Sequence, residues 1–240
     1  MKLQPNNFSL ETTTVWSFPE RGKWATHSGK YRGNWSPYIP RNLILRYSKQ
    51  NDWILDQFMG SGTTLVEAKL LNRNAVGIDI NPQSVFKSET NLQFKCETQS
   101  KIYTKVGSAS DLHFIKDNGI DFICTHPPYA NIIKYSKDIE GDISLLDVDD
   151  FLCKMEIVAK EAYRILKKRK TCAIMMGDIR KNGKVIPLGF LVMNIFLQIG
   201  FVNKEIIIKE QHNCRSMQYW KKQNNDFLLL AHEYIFVFQK

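Results

Sequence analysis

No apolar run in this chain approaches the ~18 residues that a membrane-spanning helix needs, and the amino terminus has no basic segment followed by an apolar stretch. A soluble cytoplasmic protein is expected. Cysteine is scarce as well: Cys96, Cys124, Cys153, Cys172 and Cys214 are five, an odd number, and widely spaced. That suits a reducing compartment better than a disulfide framework, and the spacing gives no support to metal binding. Repeats, low-complexity tracts and linkers are missing, so the sequence reads as one domain over 25–240 behind an extension, 1–24, too weakly patterned to assign. Acidic residues are outnumbered, 24 against 33 Lys and Arg, and the resulting net charge of +9 favours a polyanionic partner without requiring one.

Present instead is a regular alternation. Segments 53–56, 75–80, 103–107, 120–125 and 171–178 read as short apolar strands, with helical spacing at 63–72, 82–94 and 148–168 between them. Such an order implies a mostly parallel sheet with helices on both faces. The 148–168 helix is the best marked. It has Asp149 and Asp150 in its first turn, an apolar face of Phe151, Met155, Val158, Ala159, Ala162, Ile165 and Leu166, and Lys167 to Lys170 at its end. Pro187 opens a further helix that runs to Ile199 with Gly200 as its cap. Strands near 201–209 and 227–238 then follow in succession, as an antiparallel pair on the sheet edge.

Three strand ends carry chemistry. The first, Asp56-Gln57-Phe58-Met59-Gly60-Ser61-Gly62-Thr63-Thr64, is a carboxylate followed by a glycine turn that opens a helix, whose free N–H groups can hold an anionic group. A phosphate-binding P-loop needs a lysine where Thr63 stands, and a longer loop. At the second end, Gly77-Ile78-Asp79-Ile80-Asn81-Pro82, the Asp79 carboxylate can accept both ribose hydroxyls of an adenosine moiety. The third candidate is Thr125-His126-Pro127-Pro128-Tyr129, a rigid di-proline and an aromatic ring at the end of an apolar strand.

Together these segments resemble the amino-methyltransferases of DNA, which move a methyl group from S-adenosylmethionine to the exocyclic amine of cytosine or adenine. The resemblance runs from about residue 25 to the end. It implies the Rossmann-like class I fold with a seven-stranded sheet, and S-adenosylmethionine as cofactor. By the same resemblance Asp56, Phe58, Gly60, Ser61, Gly62 and Thr63 contact the methionine end of the cofactor, and Asp79 with Ile80 the ribose. Trp35, Ser36 and Pro37 belong to a lid over it. Gln57 stands where the family has proline. Ser108 stands where it often has the aspartate that bonds adenine, so that either Ser108 or Asp111 takes that contact.

Thr125, His126, Pro127, Pro128 and Tyr129 form the implied catalytic segment, with His126 where the family has Asp, Asn or Ser. The chemistry explains these residue types. An exocyclic amine delocalises its lone pair into the ring, so a site must accept hydrogen bonds from its N–H groups and turn the lone pair towards the methyl donor. The Pro127 carbonyl, Thr125 and a neutral His126 ring are candidate acceptors, and Tyr129 offers a stacking face for a base flipped out of the duplex. Lys209, Arg215, Trp220, Lys221 and Lys222, in a basic and aromatic insertion between the last two strands, are the candidate nucleic-acid contacts. Residues 138–150 are too acidic for phosphates. The long insertion that usually reads a recognition sequence is missing.

Thr-x-Pro-Pro-Tyr most resembles the Thr-Ser-Pro-Pro-Tyr of the family's cytosine group, which implies N-4 of cytosine ahead of N-6 of adenine, in a restriction-modification system or a solitary methylase, with a homodimer or a cognate endonuclease as the expected partner. Two other readings are an RNA base methyltransferase and a non-catalytic nucleic-acid-binding subunit. The departures at Gln57, Ser108 and His126 motivate the last.

Overall fold

The structure, a computed structural model, describes residues 1–212 and 226–240. In chain order its strands are β1 (Val15–Trp16), β2 (Trp53–Asp56), β3 (Asn74–Asp79), β4 (Ile102–Val106), β5 (Ile120–Thr125), β6 (Leu166–Met176), β7 (Ile179–Lys181), β8 (Lys184–Ile186), β9 (Val202–Glu210) and β10 (His232–Gln239). The α-helices are α1 (Tyr38–Tyr47), α2 (Thr63–Leu70), α3 (Pro82–Leu92), α4 (Val148–Ile165) and α5 (Leu188–Ile199). Eight strands form one sheet in the order β1-β9-β10-β6-β5-β2-β3-β4.

From β4 to β6 every neighbouring pair is parallel, and β10 is antiparallel to both β6 and β9. Parallel strands need covered crossovers, which explains why β5 is buried along its whole length. One face of the sheet packs on α4 and α5 through Phe151, Met155, Val158, Val192 and Phe196. The other packs on α1, α2 and α3 through Ile39, Leu43, Leu65, Ala68 and Val85.

Strand order reverses between β2 and β5, whose carboxyl ends diverge into a crevice, the usual ligand position in an open α/β sheet. Thr125 Oγ1 donates to Asp56 Oδ1 across that divide at 2.8 Å and ties the two strand ends together.

Three details depart from the pattern. The antiparallel pair is not outermost, because β1, from the unassigned extension, adds a parallel strand beyond β9 and buries Trp16. Helix α4 stops at Ile165 and β6 begins at once, so Lys167 to Lys170 are strand residues and not a helix end. Lys167 and Lys170 instead pair with Asp121 of β5, at 2.8 and 3.2 Å. Between β6 and α5 a short β7–β8 hairpin turns at Asn182-Gly183, a signal that was present in the sequence.

Candidate active site

Helix α2 starts on Gly62, which holds a left-handed φ of +82° where a Cβ would lie 2.2 Å from Ser88 Oγ. Glycine is required there on both counts. No side chain caps that helix start, so its first N–H groups are free to meet an anionic ligand. The preceding loop is fixed from below: Gly60 N–H donates to Asp79 Oδ2 and Asn81 N–H to Asp79 Oδ1, both at 2.9 Å. Gln57, in place of the family's proline, is buried and sends its side-chain amide to the Ala109 carbonyl at 3.4 Å. That contact ties the turn to the loop after β4.

Two clefts meet over the carboxyl ends of β2, β3 and β5. The first encloses about 830 Å³ up to its open mouth and is lined by Asp56, Phe58, Gly60, Ser61, Thr63, Asp79, Ile80 and Ser108, with Trp35 among its walls. The second is lined by Ser36, Pro127, Tyr129, Lys209 and Glu233. Gly33, Asn34, Trp35, His126, Pro128 and Tyr135 line both and form the partition.

Burial raises Asp56 to about 6, the hydrogen bonds from Thr125 and Phe58 N–H pulling the other way. It also raises Asp79, against the two backbone donors just named. A cleft with two carboxylates held above their ordinary range, an uncapped helix start, and the apolar sides of Phe58, Met59, Ile143 and Val158 fits a ligand that combines positive charge, a carboxylate, hydroxyls and a flat ring.

The segment expected to form a lid lies just before α1. Asn34 latches it to the glycine turn, receiving a hydrogen bond from Thr63 Oγ1 at 2.6 Å and donating to Ser61 Oγ at 3.1 Å. Arg21 holds the same segment from outside through the carbonyls of Asn34 and Trp35, at 2.7 and 2.5 Å. Desolvation lowers that guanidinium to about 10. The base of the lid is pinned by the buried Glu67 carboxylate, which accepts from Trp24, His27 and Arg41. Across the first cleft Tyr31 stacks on Tyr135 with ring centres 6.2 Å apart.

On the partition, the His126 ring stacks on Trp35 at 5.5 Å. Its Nε2 lies 3.2 Å from the Tyr129 hydroxyl, which donates to Glu233 Oε1 at 2.8 Å. Glu233 Oε2 accepts from Lys209 Nζ at 3.0 Å. Desolvation lowers His126 to about 4, with Glu233 opposing and Lys209 assisting. The ring is therefore neutral at pH 7.

Several expected residues stand elsewhere. Thr125 is buried and its hydroxyl is spent on Asp56, so it does not line either cleft. Gly62 and Pro37 shape the site from behind, Pro37 as the residue before α1. Asp111 turns outward to His113 at 2.7 Å, whereas Ser108 faces the first cleft. Lys209 lies inside the second cleft, paired with Glu233, and is no free surface cation. Arg215, Trp220, Lys221 and Lys222 lie outside the described residues. Asn34, Tyr31, Tyr135 and Glu233 were not singled out from sequence. Asn34 and Tyr31 lie within the aromatic lid segment, but Glu233 sits in an apolar strand and carries no local signal.

The arrangement matches known proteins at two levels. An S-adenosylmethionine-dependent methyltransferase from Methanosarcina mazei superposes with a TM-score of 0.58 at 18% identity, covering 82% of this chain and 96% of that one. One from Aquifex aeolicus gives 0.50 at 13%, covering 83% and 88%. The fold is that of the Rossmann-like S-adenosylmethionine-dependent methyltransferases. Within that class the N-6/N-4 DNA methylase model matches residues 2–89 and 120–240, and the chain belongs to this family.

Among curated relatives, the type II methyltransferase M2.LlaDCHI of Lactococcus lactis subsp. cremoris is 51% identical over 57 residues, 24% of this chain and 20% of that protein. M2.DpnII of Streptococcus pneumoniae is 40% identical over 76 residues, 32% and 27% of the two chains. A tRNA (guanine(10)-N2)-dimethyltransferase of Methanothermobacter thermautotrophicus is 37% identical over 101 residues, 42% and 29%. The chain spans less than a third of the length of each.

Proposed function

We propose that this protein transfers a methyl group from S-adenosylmethionine to the exocyclic amine of a base in DNA, with N-4 of cytosine preferred to N-6 of adenine. The observation that carries this reading is the meeting of two clefts at one thin partition of Trp35, His126 and Pro128. One cleft suits the cofactor and the other a flat base. S-adenosylmethionine, when bound, supplies an electrophilic methyl group on a sulfonium. The start of α2 with Gly60, Ser61 and Thr63 holds its carboxylate, and Asp79 holds the ribose hydroxyls. Asp56 offers negative charge near the methionine end, and Ser108 lies at the adenine side.

In the second cleft Tyr129 and Pro128 bound the base, while the neutral His126 ring and the Pro127 carbonyl accept hydrogen bonds from the target amine. Accepting from both N–H groups turns the nitrogen lone pair out of conjugation. Arg215, Trp220, Lys221 and Lys222 remain the sequence-based candidates for phosphate and base contacts. Sequence reading and any homodimer or endonuclease partner belong to surfaces beyond these clefts.

Type II DNA methyltransferases among the relatives support DNA, and the tRNA enzyme among them gives RNA a specific second claim. Purified protein should be incubated with labelled S-adenosylmethionine and unmethylated DNA or RNA, followed by nucleoside mass spectrometry. N4-methyldeoxycytidine is the expected product. N6-methyldeoxyadenosine would redirect the base assignment, label only in RNA would overturn the DNA reading, and absence of both label and S-adenosylhomocysteine binding would make the chain a non-catalytic subunit.

A further inference from the structure

The second cleft contains a hydrogen-bonded row whose far end takes no direct part in the transfer chemistry outlined above. Lys209 and Glu233 face each other as a cross-strand pair on β9 and β10. From there the row runs Lys209 Nζ to Glu233 Oε2 at 3.0 Å, Glu233 Oε1 to the Tyr129 hydroxyl at 2.8 Å, and that hydroxyl to His126 Nε2 at 3.2 Å. Gly177, just after β6, makes room for it. A Cβ there would lie 3.0 Å from the Tyr129 ring and 3.3 Å from Glu233 Cγ.

Counting protons along the row leaves one arrangement. An ionised carboxylate only accepts, and an ammonium only donates. Tyr129 has a single hydroxyl proton, and at 2.8 Å from Glu233 Oε1 it must point at the carboxylate, since two bare oxygens at that distance repel. The tyrosine oxygen can then only accept from His126, so Nε2 carries the ring proton. On a neutral imidazole Nδ1 is consequently the bare nitrogen. Nδ1 has no hydrogen-bond partner among the described residues and is not among their sealed, unsatisfied polar atoms, so it is open to the clefts that His126 lines. The charges support this order: burial opposes ionisation of Glu233, but Lys209 and the neighbouring donors outweigh it, and Tyr129 is held well above its ordinary range.

We propose that Glu233 is a positioning residue for methyl transfer: through Tyr129 it fixes the proton on His126 Nε2 and leaves Nδ1 as the acceptor for the target amine. This rests on the amino-methyltransferase reading for the identity of the group accepted, but the proton order itself does not. The relay explains how a histidine serves where the family has Asp, Asn or Ser. Those side chains have an oxygen acceptor by constitution, whereas an imidazole is an acceptor only on the nitrogen its neighbours leave bare.

The isosteric change Glu233→Gln tests it. Lys209 claims the new carboxamide oxygen and its NH2 group then faces Tyr129, so the hydroxyl turns to donate to His126 and the ring proton moves to Nδ1. Long-range 15N–1H spectra of histidine-labelled protein, free of nucleic acid and assigned through loss of the signal in His126→Gln, should show the Nε2–H pattern in wild type and the Nδ1–H pattern in Glu233→Gln. In a Tyr129→Phe background the relay is cut, so adding Glu233→Gln should leave the ring pattern unchanged. Single-turnover methylation by Glu233→Gln should fall roughly tenfold or more, as expected when a buried hydrogen-bond acceptor is lost, with affinity for S-adenosylhomocysteine unchanged. A wild-type Nδ1–H pattern, or a Glu233→Gln protein with wild-type ring pattern and rate, overturns the relay. The expected ring patterns with no transfer to any nucleic acid would instead overturn the reading of the site and leave the proton order standing.

Discussion

At the scale of single residues, His126 and Asp79 bear the most specific consequences. Desolvation brings His126 from 6.5 to about 4 in the folded protein. An unfolded chain therefore binds a proton on this ring that the folded one refuses, so the contribution of His126 to stability is present above pH 6.5 and lost as pH falls from there through about 4. Glu233 and Lys209 act on it in opposite senses, and Trp35 and Tyr129 cover its two sides. An NMR titration should place its inflection near 4, and one at the ordinary histidine value would show a solvated ring. His126→Asn, which keeps an acceptor, should retain measurable methylation, while His126→Ala should be far slower in the same single-turnover assay. Asp79 both braces the glycine turn and faces the cleft. Replacing it with alanine should weaken S-adenosylhomocysteine binding by roughly tenfold or more, since charge-assisted hydrogen bonds are worth about 1.5–3 kcal/mol each. Calorimetry giving an unchanged dissociation constant would remove Asp79 from the site.

Among elements, the start of α2 is the least replaceable. Gly62→Ala must adopt a left-handed conformation and push a methyl group into Ser88 of α3, so it should cost about 1–2 kcal/mol in strain before any clash is relieved. On the proposal that this helix start holds the cofactor carboxylate, affinity should fall along with the melting temperature. A variant with lowered stability and intact affinity would show that the ligand sits elsewhere. The junction of α4 with β6 makes a different point. Leu166 leaves the helix directly into an extended conformation, which places Lys167 and Lys170 beside Asp121. Local spacing favoured a longer helix there, but the chain enters the sheet at Leu166, which pairs with Ile120 of β5.

For the whole molecule, net charge is +9, but among the described residues the Lys and Arg side chains that line the clefts are Arg21 and Lys209. Lys209 is neutralised by Glu233, and Arg21 is committed to lid carbonyls. With phosphate contacts proposed for the basic insertion, substituting Lys221 and Lys222 should reduce the slope of log affinity against log salt by roughly 0.9 for each phosphate no longer neutralised. Lys209→Ala should leave that slope alone and lower turnover, because it removes the partner of Glu233. A slope moved by Lys209→Ala and untouched by the other pair would reverse the assignment.

The motifs at three strand ends, the alternation of strand and helix, and the family were legible in the order of residues alone. Each is local: a glycine turn, a di-proline and an apolar period of two or 3.6 are properties of adjacent residues. Asp56, Asp79 and His126, which line the first cleft, could be picked out this way because they stand within those local motifs. Only the tertiary structure decided that Thr125 is consumed by Asp56, that Asp111 faces away, and that Gln57 replaces a proline by bonding to another loop. Glu233 was invisible for the same reason. It lies 104 residues from Tyr129 in sequence and 2.8 Å away in space. Hydrogen bonds and desolvation depend on which strands lie side by side, and that order is set by the packing of the whole sheet.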